Sequence, residues 1–318
     1  FNPLHLNIAR NSPCFGGTMP GRHVAEADVG LLVDVDVPWI PSDTRESPQT
    51  WWAHIDVDPV KERSPIWGFP SNLRLPGDST LVLAQLVQAL AAKATPAFRD
   101  GAARRVDAMT REHGERRAEA AKLAATKGSR GAVNTHYLCA EIAKAMGEDD
   151  ILVNESVRNA ALVHRQITRT RPGTALGCAG GALGYSNGMA LGAKLARPDA
   201  TVVQVVGDGS FYFGNPSSAF AVSRQYGLPV FTVVLDNSGW SAVKESTLRM
   251  YPEGAARAVD DFGARLAPEA DFAKICEAAG GYGEMLADPD IVPAAIQRCL
   301  AAVRGGRPAL LHAKIPAL

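Results

Sequence analysis

Two stretches, TVVQVVGDG (201–209) and PVFTVVLDN (229–237), constrain this chain more than any other part of it. Each is a continuous run of β-branched and apolar residues with no solvent face, closed by turn-forming residues, the pattern of a strand buried on both sides. Between them AFAVSRQYG reads as a helix. The same alternation runs through the second half of the chain. The helix THYLCAEIAKAMG, the strand DILVNES and the glycine-led helix GALGYSNGMALGAKLA come before, and the helices DFAKICEAAGG and PAAIQRCLAAVRGG and the strand PALLHAKI follow. Strands alternating with helices predict an α/β fold, a parallel sheet flanked by helices and wound with right-handed crossovers. Ligands of such sheets sit beyond the carboxyl ends of the strands.

The first half holds less. VGLLVDVDVPWIP and WWAHIDVDP read as buried strands and STLVLAQLVQALAAK as a helix, material for part of a second α/β domain over residues 1–94. Residues 95–131, with TREHGERRAEAAKLAATKG at their centre, read as a solvated, charged helical connector carrying opposite charges four residues apart. Residues 132–318 form the domain built on the parallel sheet. The connector is not a nucleic-acid surface, because Glu residues interrupt its positive charge and no aromatics are interleaved for stacking.

Charge sets further bounds. The chain has 33 Lys and Arg against 33 Asp and Glu, so no bulk field draws it to nucleic acid or to an anionic membrane surface. Mean hydropathy is −0.05, and no apolar run approaches the roughly 20 residues that span a bilayer. The N-terminal FNPLHLNIARNSP lacks a basic region followed by an apolar core. These features read as a cytoplasmic protein, and the initial Phe1 as a fragment or a processed chain. The cysteines, Cys14, Cys139, Cys178, Cys276 and Cys299, are scattered and never spaced CxxC, which argues against a disulfide framework or a zinc site. GxxxxGK[ST], a strand-linked GxGxxG and HExxH do not occur, which removes the P-loop, dinucleotide-binding and zincin readings.

The chemistry concentrates at the two strand ends. Gly207 and Gly209 permit tight backbone geometry after VVQVV, so that neighbouring amides approach an anion. Asp208 then points into the same crevice, and one crossover later Asn237 ends the next strand. Asp208, the oxygen of Asn237 and the carbonyl of Gly239 form an all-oxygen clamp suited to Mg²⁺ on a diphosphate. Ser210 is placed either to donate a hydroxyl to that diphosphate or to cap a helix. GDG and LDN are each also ordinary turn sequences; their order, between strands, carries the reading.

With these residues in view, GDG followed by Asn237 resembles the thiamine-diphosphate motif of the pyruvate decarboxylase and acetolactate synthase superfamily. The spacing is at the longer end of that family's range. Asp236 stands where the family has a first Asn, and Trp240 follows as its aromatic residue. The resemblance implies that CAGGALGYSNGMALGAKLA supplies a glycine carbonyl, Gly181, to the aminopyrimidine and an apolar wedge, Leu183, beneath the two rings. It also implies that Asn154 to Ser156 face the diphosphate. WWAHIDVDPVKERSPIWGFPSNLRLPGDSTLVLAQL is similar to the latter part of the family's central domain, and EADFAKICEAAGGYGEM with GGRPALLHAKI to its closing segment.

The resemblance further implies thiamine diphosphate and Mg²⁺ as cofactors. The activity implied is C–C bond cleavage or formation on a 2-oxo acid, by a decarboxylase or a carboligase. A lyase for 2-hydroxyacyl-CoA or oxalyl-CoA, and a noncatalytic binding or regulatory subunit, stay open. In the family the Glu that activates the cofactor lies on a separate pyrimidine-binding domain that nothing here resembles. The expected partners are therefore such a domain or subunit, within a homodimer or tetramer, and a small 2-oxo acid or acyl-CoA. Glu155 belongs to the other half of the site. Arg249 and Arg257 are candidates to border a substrate channel, and His136 and His164 are read as structural.

Overall fold

A computed structural model describes residues 6–18, 21–64, 67–178, 182–266 and 270–317. The chain divides into two compact units, Pro13–Glu115 and Arg116–Leu318, the second joined by N-terminal residues up to Ser12.

The first unit contains helix α1 (Gly21–Glu26), strands β1 (Val29–Val33), β2 (Trp51–Asp56) and β3 (Leu73–Pro76), and helix α2 (Ser79–Lys93). The strands form one parallel sheet in the order β1-β2-β3. Trp39, Trp52, Val24 and Leu32 make its core. Gly30 exists because of Trp52: a β-carbon there would lie 2.0 Å from the indole. Asp78 caps α2, its carboxylate accepting the Thr80 and Leu81 N–H groups. The apolar spacing of α2 does mark a helix, yet none of its residues is buried, and Leu81 and Val87 are each 65% exposed. Helix α3 (Pro96–Leu123) is the long charged helix, with Ala120 its one buried residue.

The second unit begins with a small antiparallel pair, β4 (Gly128–Ser129) and β5 (Ala132–Val133). It continues as α4 (Thr135–Ala145), β6 (Ile151–Glu155), α5 (Ala160–Gln166), β7 (Ala175–Leu176), α6 (Tyr185–Ala196), β8 (Val202–Gly207), α7 (Asp208–Phe213) and α8 (Pro216–Tyr226). Then come β9 (Phe231–Asp236), α9 (Ser241–Met250), α10 (Ala255–Ala258), α11 (Phe272–Ala278), β10 (Tyr282–Leu286), α12 (Val292–Arg304) and β11 (Ala309–Lys314). Six strands form one sheet in the order β10-β11-β9-β8-β6-β7, every pairing parallel.

The unbroken apolar runs are explained by burial on both faces. Along β8, Val203 and Val205 join Leu138, Ile142, Ile296 and Leu300 from α4 and α12. On the other face Val206 packs with Phe220 of α8 and Phe272 of α11, and Val202 with Ala190 and Ala193 of α6. Successive side chains point to opposite sides of a strand, so a strand covered on both sides has no room for a polar face. Gln204 is the exception and is fully satisfied. Its amide donates to Ser186 Oγ (2.8 Å) and Asn187 Oδ1 (2.7 Å), and its carbonyl accepts Thr232 Oγ1–H (2.9 Å). A buried polar group needs such partners, and these pin the start of α6 to the middle of the sheet.

Among the described residues, no helix is long and apolar enough to cross a membrane.

Candidate active site

The register of the central strands decides what meets what. Gly207 lies opposite Leu235, and Lys314 opposite Asp236, so Asp208, Asp236 and the residues just beyond them gather at one end of the sheet. Asp208 is 3% exposed. Its Oδ1 accepts the Gly209 N–H at 2.8 Å, and its Oδ2 accepts the Gly239 N–H at 3.0 Å. Asn237 turns to the same hydrogen, with Oδ1 3.2 Å from Gly239 N. Its Nδ2 donates to Ser241 Oγ, which fixes which way the carboxamide faces. The structure thus brings Asp208, Asn237 and Gly239 together. The Gly239 carbonyl also accepts Ser241 N–H at 3.2 Å and keeps a second lone pair.

Burial pushes the Asp208 carboxyl up, and the neighbouring Asp236 carboxylate adds to this against the opposing pull of the Gly209 and Gly239 N–H groups. Burial would raise Asp236 as well, but hydrogen bonds from His312, Lys314 and the Ser238 N–H more than offset it and hold Asp236 far below the usual carboxylate range. Two carboxylates at adjacent strand tips are therefore in opposite states: one neutralised by the protein, the other short of positive charge.

The glycines of GDG have different reasons. A β-carbon at Gly209 would fall 1.9 Å from Trp240 Cδ1 and Nε1, so the indole lies directly on that backbone. At Gly207 the expectation of tight geometry is corrected. Its φ is −75°, open to any residue, and a β-carbon there would meet nothing within 4 Å. What glycine leaves at 207 is open space beside the carboxyl end of β8. Ser210 is buried inside α7, whose N-cap is Gly207, so it does not serve as the cap.

The glycine-rich segment is held against this turn. Gly184 has φ +87°, and a β-carbon there would lie 2.7 Å from the Phe213 carbonyl carbon. Both facts demand glycine. Asn187 Nδ2 donates to the Gly214 carbonyl at 2.7 Å, tying α6 to the end of α7. Leu183, just before Gly184, is 43% exposed, an apolar side chain presented outward at a helix start. Gly181 lies outside the described residues.

Glu155, expected with Asn154 and Ser156 to face a diphosphate, instead turns its carboxylate to α6. Its two carboxylate oxygens accept the Gly184 N–H and the Ser186 N–H (2.9 Å), filling the N-terminus of α6 with the protein's own anion. Asn154 turns to Ser156, whose hydroxyl and N–H it accepts at 2.7 and 3.1 Å. Tyr185 Oη–H donates to the Asn154 carbonyl at 2.7 Å, and burial pushes its pKa up to about 12.

His136 accepts from Gln166 Nε2 at 3.0 Å, and His164 is half-buried on α5. Arg257 donates to the Pro252 carbonyl at 3.1 Å, and Arg249 is exposed in the last turn of α9.

The residues present fit a metal-bound diphosphate on three counts. The donor set is all oxygen, as hard divalent ions require. Open space flanks Gly207. The Trp240 Nε1–H, shielded from solvent, has no hydrogen-bond acceptor, a state it shares with the Trp39, Trp52 and Trp67 indoles. Such an orphan donor costs about 1–3 kcal/mol unless a ligand takes it.

Comparison with known proteins identifies the domain that carries these residues. Residues 155–313 match the family described as thiamine pyrophosphate enzyme, C-terminal TPP binding domain. An acetolactate synthase from Mycobacterium avium is 27% identical over 282 residues, 83% of this chain and 42% of that protein. A benzoylformate decarboxylase from Pseudomonas aeruginosa is 30% identical over 135 residues, 42% of this chain and 23% of that protein. The solved thiamine diphosphate-dependent 4-hydroxybenzoylformate decarboxylase of Rhodococcus jostii RHA1 superposes with a TM-score of 0.73 at 19% identity. That superposition covers 99% of this chain and 55% of the decarboxylase, so this chain spans about half the length of its relatives.

Proposed function

Since the chain belongs to the thiamine pyrophosphate enzymes through its C-terminal TPP-binding domain, we propose that its second unit anchors thiamine diphosphate through Mg²⁺, and that it supplies this half-site to an enzyme acting on a 2-oxo acid. The first unit is read as part of the family's central domain.

The observation that carries the reading is the convergence of Asp208 and Asn237 on Gly239 N–H, at 3.0 and 3.2 Å. Asp208, Asn237 and the Gly239 carbonyl would hold the cation. Gly207, Gly209, Ser210 and Trp240 would surround the diphosphate, and Leu183 and Gly181 would meet the rings. When bound, the cofactor supplies a nucleophilic thiazolium carbon and an electron sink for the departing fragment.

The work left to this chain is orientation and charge. A divalent cation at Asp208 would favour the ionised carboxylate that burial disfavours, so metal binding should tighten as pH rises. Glu155 is committed to Gly184 and Ser186, so the acid that activates the aminopyrimidine comes from elsewhere, on a pyrimidine-binding domain or subunit. Alone, the chain should bind cofactor without turnover.

The relatives favour 2-oxo acid chemistry over an acyl-CoA lyase: one is named a benzoylformate decarboxylase and another an acetolactate synthase. Titration calorimetry tests the reading, with thiamine diphosphate injected with and without Mg²⁺ and thiamine monophosphate as control. Metal-dependent binding that needs both phosphates is expected. Equal heats for the two thiamine esters, or none, would overturn it.

A further inference from the structure

Asp236 is 4% exposed and accepts four hydrogen bonds from three residues. His312 Nε2–H reaches its Oδ2 at 2.6 Å and Lys314 Nζ reaches the same atom at 2.5 Å. Its Oδ1 accepts the Ser238 N–H at 2.8 Å. His312 is fully buried, and its Nδ1 accepts the Phe272 N–H at 3.3 Å, so the ring proton sits on Nε2, aimed at Asp236. His312 and Lys314 alternate along β11, and the register sets Lys314 opposite Asp236. Both oxygens of Asp236 are therefore engaged by the protein.

The third bond reaches the clamp. Ser238 has φ +61°, a left-handed conformation unfavourable for a residue with a side chain. The turn is held from both sides: Asp236 Oδ1 accepts the Ser238 N–H and, at 3.4 Å, its Oγ–H, as Asp side chains do with the residue two positions on, and the Ser238 carbonyl accepts the Leu266 N–H at 3.0 Å. On either side of Ser238 stand Asn237 and Gly239, the two residues that meet Asp208. The sense of the turn at 238 decides where the Asn237 oxygen and the Gly239 peptide point.

We propose that Asp236, braced by His312 and Lys314, is the positioning residue of the clamp: it holds Ser238 left-handed, aims Asn237 and Gly239 at Asp208, and does not itself touch the cation. This rests on the thiamine diphosphate reading above. It also accounts for an acid beside a cation site that does not serve as ligand: Lys314 and His312 occupy the lone pairs a metal would need.

The test is a Mg²⁺ titration at fixed, saturating thiamine diphosphate, followed by calorimetry on the whole chain, with far-UV circular dichroism and thermal midpoint recorded separately. Asp236→Ala should weaken apparent Mg²⁺ affinity about 10- to 100-fold, the range for residues that orient metal ligands. Ser238→Gly in that background should recover most of the loss, because glycine adopts the left-handed turn without help. A merely structural Asp236 would lower the thermal midpoint, and glycine at 238 would not restore metal affinity. If Asp236→Ala does not fold, Asp236→Asn, which keeps an oxygen for the Ser238 N–H, and Lys314→Met serve instead. Asn should then retain more affinity than Met. Wild-type Mg²⁺ affinity in Asp236→Ala, or no recovery with glycine at 238, overturns the proposal while leaving the cofactor reading intact. Failure of the unmodified chain to bind Mg²⁺ and thiamine diphosphate overturns both.

Discussion

Asp208 and Asn237, from the ends of adjacent strands, accept the same hydrogen, the N–H of Gly239, at 3.0 and 3.2 Å. Neither residue would face the other unless β8 and β9 were paired in parallel with Gly207 opposite Leu235. A slip of one residue would turn one of the two side chains into the sheet's packed face.

Gly209 is fixed by packing. Gly209→Ala places a methyl 1.9 Å from the Trp240 ring, and overpacking of this kind costs about 1–3 kcal/mol. Trp240→Leu should relieve the clash, so the two changes together should cost less than their sum. Urea denaturation of the single and double variants checks this. Strict additivity would mean the ring and the glycine do not meet.

Glu155 is a clasp for α6. Glu155→Ala leaves the Gly184 and Ser186 N–H groups unpaired and should destabilise the chain by about 3–6 kcal/mol, two hydrogen bonds to a charged acceptor at roughly 1.5–3 kcal/mol each. Glu155→Gln, with one accepting oxygen, should fall between. Chemical denaturation decides. An unchanged midpoint in the alanine variant contradicts the clasp.

His164 should make stability fall in acid. Burial, with the charge of Arg10 adding to it, lowers its pKa from 6.5 to about 3. Between those values the unfolded chain takes up a proton that the folded chain refuses. Stability is therefore full above pH 6.5 and drains away as pH falls toward 3. Denaturation midpoints at pH 7 and pH 5 should differ less in His164→Leu than in the unmodified chain; equal differences would contradict the assignment.

The cysteines should divide by burial. Burial pushes the Cys139 and Cys276 thiols up to about 12 and raises Cys299 as well. The thiolate is the reactive form, so iodoacetamide should modify exposed Cys14 in the native chain and reach these three only in denaturant. Mass spectrometry of the labelled peptides reads the result.

The sheet was readable because residues buried on both faces leave an uninterrupted apolar signature, and α2 began and ended where its sequence indicated. Short edge elements were not. β7 is two residues, Ala175–Leu176, and β3 ends on Pro76, so neither has a period to detect. At the site, GDG and Asn237 announced themselves through local turn chemistry. The grip of His312 and Lys314 on Asp236 did not, because it joins residues more than seventy positions apart through the pairing of β9 with β11. Likewise Gly207 and Gly209 look equivalent in sequence, and only the position of Trp240 separates a glycine required by contact from one that leaves space.

Diffraction from crystals of the chain grown with thiamine diphosphate and Mn²⁺, recorded at the manganese absorption edge, locates directly a cation held between the two strand tips. An anomalous peak is expected within bonding distance of Asp208, the Asn237 side-chain oxygen and the Gly239 carbonyl, with the diphosphate beside Gly207. A peak ligated by other residues, or a diphosphate bound with no metal at Asp208, would contradict this placement.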